Sequence, residues 1–260
     1  MKRLLLIDGD ILVYQTATTM ETPIDWGDDF WTLHVDAKAA KEAMVAEIEG
    51  LAEKFKPCDM IFALSNYENP FRKLVLPTYK NNRKATRKPV VWGEMRQYLK
   101  DTYEWREKPG LEGDDILGIM ATRVGPIMKG LPAAVEKIIV TIDKDLLTIP
   151  GLHYNMRKTE LGVVEVSQQQ ADRWHMFQTL TGDTCDGYKG CPKVGPAGAE
   201  KILGAVEPTY AAMWPEVVKA YVKAGLSEEV ALQQARVARI LRAEDWDFKK
   251  SEVKLWVPAR

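Results

Sequence analysis

The residues best equipped for chemistry in this chain are carboxylates, and they gather in four short clusters. Asp8 stands with Asp10, Glu112 with Asp114 and Asp115, Asp143 with Asp145, and Asp183 with Asp186. In LEGDDILGIMA (111–121) three acids crowd the head of an otherwise apolar helical pattern, with Ile116, Leu117, Ile119 and Met120 on one face. One carboxylate at a helix N-terminus caps free N–H groups and meets the positive end of the dipole. Three exceed that need and repel one another, so a positive partner is expected. Hard oxygen donors converging without His or Cys select Mg²⁺ or Mn²⁺ over zinc. Carboxylates left unneutralised raise each other's pKa, and bound divalent cations explain how they stay ionised. Taken singly, Asp10 or Asp145 is as readily a cap or turn residue; the joint pattern points to metal.

The opposite charge lies elsewhere. From Arg72 to Lys88 there are seven basic residues (Arg72, Lys73, Lys80, Arg83, Lys84, Arg87, Lys88) and no acid, although the whole chain carries a net charge of −1. Such a stretch alone is an ordinary solvated face. Beside separate acidic zones it suggests metal-bound chemistry next to a polyanion-binding surface. In LTGDTCDGYKGCPKVGPAGAEKIL (180–203), Asp183 and Asp186 sit in a Gly-rich loop followed by a Gly-Pro-x-Gly turn that opens a helix. Turns of this kind present backbone N–H groups to a phosphodiester, here with Lys189, Lys193 and Lys201 around it.

Elements of an α/β domain must position these groups. RLLLI (3–7), MIFAL (60–64) and KIIVTI (137–142) read as strands. Helices are expected over 36–55, near 91–101, over 112–124 and within 209–241, and the basic segment up to Pro89 as a long functional loop. Strands separated by helices imply a mostly parallel sheet, whose carboxyl ends gather ligands; Asp8 and Asp143 follow two of them. At 260 residues, 46% hydrophobic and 28% charged, the composition is that of a soluble globular protein. Its apolar runs are strand-sized and no signal peptide is evident. The odd set Cys58, Cys185 and Cys191 fits a reducing cytoplasm, and His34, His153 and His175 share no zinc-ligand spacing with it.

Five ordered motifs carry a resemblance: LLIDGD (5–10), FRKLVLPTYKNNRK (71–84), LEGDDILG (111–118), TIDKDLL (141–147) and GDTCDGYKGCPKVGP (182–196). Over residues 3–205 the chain resembles the metal-dependent 5′ nucleases of the flap-endonuclease superfamily, and among them the short bacteriophage 5′→3′ exonucleases of podovirus type. The resemblance implies a central, largely parallel sheet flanked by helices, a PIN-like core with a helical arch, and a helix–three-turn–helix element that grips duplex DNA. It divides the chain into a catalytic core (1–178) with a gateway loop (65–91) and a C-terminal helical region (179–260) with the duplex-binding element (182–205). It assigns Asp8, Glu112 and Asp114 to one metal region, and Asp115, Asp143, Asp145, Asp183 and Asp186 to the second. Lys80 and Arg83 would contact the scissile phosphate, with Arg72, Tyr79, Asn82 and Lys84 beside them on DNA. Lys193, Gly195, Gly198 and Lys201 would hold the duplex, in an element that in relatives also binds a monovalent cation such as K⁺. Two Mg²⁺ ions about 3.5–4 Å apart would drive hydrolysis, with Mn²⁺ as a substitute. The implied partner is DNA with nicks, flaps or 5′ ends, with RNA–DNA hybrids as a further substrate, acted on by a cytoplasmic monomer.

Two departures stand out. Where the family carries a second-strand aspartate this chain has Ser65 followed by Asn66, and Lys193 stands where the hairpin often has glycine. Tyr79 and Trp92 are expected to stack on an unpaired terminal base, with core packing as the alternative for Trp92. LLLIDGD also resembles the haloacid-dehalogenase phosphatases, with Asp8 as nucleophile and Asp10 as acid. A PIN-type ribonuclease would share the acidic rim but lack the gateway. Ser65 motivates a further alternative, a DNA-structure binder whose metal site has decayed.

Overall fold

The computed structural model describes residues 2–85, 87–128 and 135–258. In its first half β1 (Arg3–Asp8), α1 (Gly9–Thr19), the hairpin of β2 (Thr22–Asp25) and β3 (Trp31–His34), α2 (Ala37–Phe55) and β4 (Cys58–Ala63) follow one another. Next come α3 (Phe71–Val75), α4 (Trp92–Thr102), β5 (Trp105–Arg106), α5 (Gly113–Thr122), β6 (Glu136–Val140), β7 (Gly151–Tyr154) and β8 (Val163–Val166). The chain ends through α6 (Gln168–Thr181), α7 (Pro196–Leu203), α8 (Tyr210–Lys223), α9 (Glu228–Ala238), β9 (Trp246–Asp247) and β10 (Glu252–Val253).

The main sheet has the order β5-β4-β1-β6-β7-β8. All its pairings are parallel except that of β7 with β8. Alternation along β1 sends Leu5 and Ile7 into the layer under α1, α2 and α4, and Leu4 and Leu6 into the layer under α5. Burial on both faces is why RLLLI reads as a continuous apolar run. A third core joins α6 to the C-terminal helices through Met176, Leu180, Met213, Val217 and Tyr221. The chain leaves β1 towards β4 on one side and later fills β6 on the other. That places β1 at the switch point where open α/β sheets form their clefts.

Several elements differ from expectation. The segment up to Pro89 contains α3 and a 3₁₀ turn (Asn81–Ala85) where an irregular loop was expected. The strand at 137–142 ends at Val140, and the β2–β3 hairpin, β7 and β8 add to the strands foreseen. A boundary at 178/179 cuts through α6, and Ile240, Leu241 and Trp246 return to the layer under α5. The C-terminal third therefore packs back onto the sheet. Among the described residues no helix is long and apolar enough to cross a membrane.

This return is close. A Cβ on Gly118 would overlap the Leu241 carbonyl oxygen and lie 2.7 Å from Ile149 Cδ1. Gly118→Ala is expected to destabilise the fold by about 1–3 kcal/mol, read by urea denaturation.

His175 is fully buried in this third, its Nε2 2.8 Å from the Ala235 carbonyl and its Nδ1 3.0 Å from the Tyr210 hydroxyl. The Ala235 carbonyl can only accept, so the neutral ring carries its proton on Nε2, while the Tyr210 hydroxyl is shared among Nδ1, Arg239 and Asp172. Burial and nearby Arg239 hold the His175 pKa well below its ordinary value. Above pH ~6.5 the ring is neutral in both states and the group has no effect on stability. Below that, the unfolded chain gains a proton that the folded chain refuses. This group is then expected to remove about 1.4 kcal/mol of stability per pH unit until its folded pKa is reached. Denaturation of wild type against His175→Gln between pH 7.5 and 5 measures the difference in slope.

Candidate active site at the carboxyl rim of the sheet

A cleft of about 890 Å³ opens over the carboxyl ends of β1, β4 and β6. Its walls bring together Asp8, Asp10, Glu112, Asp114, Asp143, Asp145, Asp183 and Asp186, with Lys80 and Arg83 among them. Asp8 ends β1 and caps α1, accepting the Ile11 N–H at 3.0 Å and the Thr141 hydroxyl at 3.1 Å. Asp143 caps the short helix after β6 by accepting the Asp145 N–H at 2.8 Å, and Gln178 donates to Asp145 at 2.7 Å. Asp183 accepts the Cys185 and Asp186 N–H groups through one oxygen. Capping therefore uses only one oxygen of Asp143 and of Asp183, so a cap and a ligand role fit the same side chain.

The loop holding Asp183 and Asp186 is closed by a bridge between Asp183 and Tyr188. Gly182 sits at φ +68° against Lys189 and Gly190, where any Cβ would overlap their backbone. The gateway segment fastens onto this loop. Lys80 N–H donates to the Asp186 carbonyl at 2.8 Å, and the Asn82 amide donates to Thr184 and Cys185 at 2.9 and 3.2 Å. Arg83 donates to the Cys185 carbonyl at 3.1 Å and pairs with the Asp186 carboxylate.

The acids at 112–115 have three different fates. Asp115 is fully buried, taking both guanidinium arms of Arg72 at 2.7 and 2.8 Å and the Leu241 N–H at 3.1 Å. With both oxygens engaged away from the cleft, it is a structural counter-ion and not a metal ligand. Glu112 accepts from Lys80 at 2.6 Å, Tyr79 at 2.9 Å and Arg72 at 3.0 Å. Burial alone would raise the Glu112 pKa, but Lys80 and Arg72 overcome it and hold the group at about 2. Asp114 alone of the three forms no ion pair among the described residues; it faces the other acids, with Lys80 only partly offsetting them.

Three expected DNA contacts are also corrected. Arg72 is 3% exposed and spends its guanidinium on Asp115, Glu112 and the Val237 and Arg239 carbonyls. Tyr79 is 2% exposed, its hydroxyl standing between Glu112 and Asp186, so no base can stack on it. The donors of Asn82 are used by the 184–185 carbonyls, which makes it a latch between gateway and loop. The Lys84 side chain lies outside the described residues. Lys193 adopts φ +64°, the left-handed region that suits the glycine expected there. Lys193 and Gly195 are exposed at the head of α7, Gly198 is partly exposed on its first turn, and Lys201 is exposed on its last turn.

The rim carries more negative charge than its own cations neutralise. Burial and then Asp8 and Asp143 raise the Asp114 pKa well above its ordinary value. Asp8 is pushed up to about 7 by burial, with Asp10 and Asp143 adding to it against the bonds from Ile11 and Thr141. Burial, then Asp143 and Asp183, push Asp145 up to about 7, and burial with Asp186 raises Asp143. All-oxygen donors whose ionised forms lack a counter-charge are a fit for hard divalent cations. Among the described residues no three such side chains already close on one point as a finished cage, so they form a rim of donors.

Ser65 ends the second wall without an anion. Its hydroxyl accepts the Gly113 N–H at 2.9 Å and its own N–H donates to Asp10 at 2.6 Å. Asp10 also meets Arg96 at 3.3 Å. An ion-paired acceptor is a poor proton donor, so the phosphatase reading of Asp8 with Asp10 finds no support. Sequence reasoning missed Arg72 as a clamp, and Thr141, Gln178 and Arg96 as partners of the rim. Nothing in the sequence pairs groups that lie up to 167 residues apart.

Residues 3–175 match the family model of the 5′-3′ exonuclease N-terminal resolvase-like domain. The chain is 30% identical to an exodeoxyribonuclease of Enterobacteria phage T3, covering 99% of this chain and 93% of that protein. It is 29% identical to an exonuclease of Escherichia phage T7, covering 99% and 94%. In fold it resembles the flap endonuclease of bacteriophage T5, solved as a pseudo-enzyme–product complex with DNA and metal ions (TM-score 0.63, 15% identity, 91% of this chain and 88% of that one). The chain belongs to the 5′-3′ exonuclease family and is a nuclease of the phage-exonuclease type.

Proposed function

We propose that this cleft hydrolyses DNA phosphodiester bonds at 5′ ends, nicks and flaps with two Mg²⁺ ions, for which Mn²⁺ can substitute. The supporting observation is the convergence of Asp8, Asp114, Asp143, Asp145, Asp183 and Asp186 on one rim that Lys80 and Arg83 also line. Asp8, Asp114 and Asp143 would hold one ion, and Asp145, Asp183 and Asp186 the second. When bound, the ions supply an activated water and neutralise charge on the leaving 3′-oxygen. A protein general base is then not required, and no histidine lines the cleft among the described residues.

The protein's own cations do the rest. Lys80 Nζ and the Arg83 guanidinium hold phosphoryl oxygens and offset the charge that grows on them. Glu112 and Asp186 aim those two groups, at 2.6 Å from Lys80 Nζ in the first case. The head of α7, with Gly195, Gly198 and Lys193, faces open solvent and suits a duplex backbone, with Lys201 further along the helix and K⁺ in the turn before it. The T5 relative, holding DNA and metal ions, supports both ligand classes. RNA–DNA hybrids are a second substrate of the same geometry, and the protein works as a monomer in the cytoplasm.

The test is an internally labelled duplex carrying a nick and a 5′ flap, incubated with Mg²⁺, Mn²⁺, Ca²⁺ or chelator. Short 5′ products in Mg²⁺ and Mn²⁺, and none with chelator, are expected. Tight binding in Ca²⁺ without cutting in any ion would instead identify a DNA-structure binder, disabled where Ser65 replaces an acid. Lys80→Ala is expected to slow single-turnover cleavage by about 10²–10³-fold while duplex affinity changes little.

A further inference from the structure

We propose that Tyr67, Lys88 and Trp92 form a subsite for one nucleobase of the strand being cut, beside the scissile phosphate. This rests on the nuclease reading above. Tyr67 lies two residues beyond Ser65, is 57% exposed and lines the same cleft as Asp8, Asp114 and Lys80. Trp92 opens α4 with one side packed on the core and the other partly open. Between them runs Lys88, whose Nζ is 3.6 Å from the Trp92 ring centre and 4.6 Å from that of Tyr67.

The two ring centres stand at most about 8 Å apart and share one ammonium, so both rings border a single space at the cleft mouth. The Lys88 ammonium keeps the ring faces preformed by cation–π attraction. Its surroundings disfavour a second cation as ligand. Arg96 lies 5.5 Å from the Trp92 ring, and burial together with Arg96 lowers the Lys88 pKa. Asp10 is already paired with Arg96, and Glu21 with Arg87. A neutral aromatic base carrying its own phosphate satisfies both parts: the base replaces the ammonium between the rings, and Lys88 moves to the phosphate. Among the described residues Tyr67 joins none of the apolar cores, and its hydroxyl is held by Ser65, which anchors the ring at the cleft mouth and leaves its face open.

The experiment compares two 5′-flapped duplexes that differ only in an abasic residue at the nucleotide flanking the cut. Kd is measured in Ca²⁺ and KM with kcat in Mg²⁺. Wild type is expected to bind the abasic substrate about tenfold more weakly, with kcat nearly kept. Tyr67→Ala should weaken the base-bearing substrate to the abasic level and leave the abasic one unchanged, while Tyr67→Phe should restore the difference. Equal binding of both duplexes by wild type would overturn the subsite. So would equal loss on both by Tyr67→Ala, which marks a structural role. Absence of cleavage in Mg²⁺ counts against the nuclease reading alone, because the Ca²⁺ comparison still decides the subsite.

Discussion

Asp114→Asn is expected to lower cleavage by about a thousandfold or more, while the metal-free protein becomes more stable to heat. Among the described residues Asp114 is the acid of the 112–115 cluster that forms no ion pair, although Lys80 lies near enough to offset part of its charge. Burial, Asp8 and Asp143 all disfavour its ionised form. Replacing it with a neutral isostere removes that repulsion from the folded state. The same change removes a donor shared between the α5 head and the strand-end acids, the place where charge must be held during hydrolysis. A melting curve in chelator and a single-turnover assay in Mg²⁺ measure the two halves. Cleavage within a few-fold of wild type would show that Asp114 holds no ion. A lowered melting temperature would show that its charge is already balanced.

Arg72→Met is expected to destabilise the protein by about 3–5 kcal/mol, the largest stability effect foreseen. The substitution leaves Asp115 fully buried with no counter-ion, and unmakes the bonds to the Val237 and Arg239 carbonyls that anchor the C-terminal segment to α5. Glu112 loses one of its two cations, so the rim should also lose activity in whatever fraction stays folded. The double substitution Arg72→Met with Asp115→Leu should recover much of the stability, because neither buried charge remains. Urea denaturation of both variants separates this from a surface DNA contact, for which Arg72→Met would leave stability unchanged.

The sheet was legible where strands are buried on both faces, as in RLLLI, MIFAL and the run from 137. The β2–β3 hairpin was not, because nearly all its residues are exposed and no alternation marks an inner face. The acid clusters were legible through one rule, that ligands gather at the carboxyl ends of parallel strands. Their internal division was not. Glu112, Asp114 and Asp115 look alike in sequence, and only the position of Arg72, 43 residues before Asp115, separates a buried counter-ion from a candidate ligand. Arg72 itself sits in a basic run that reads as surface. Its burial follows from α3, a five-residue helix too short to show a period. Tyr79 was misjudged for the same reason: an aromatic in a polar loop gives no sign that its hydroxyl reaches two carboxylates. Ser65 was read only as a missing ligand, whereas its hydroxyl caps the helix that carries Asp114.

The most direct measurement is anomalous diffraction from crystals of the protein soaked in Mn²⁺. Two ions are expected on the carboxyl rim, one held by Asp8, Asp114 and Asp143 and one by Asp145, Asp183 and Asp186, with Asp115 still paired to Arg72. Ions bound away from this rim, or a rim without metal while the protein cuts DNA in Mn²⁺, would contradict the assignment of these acids.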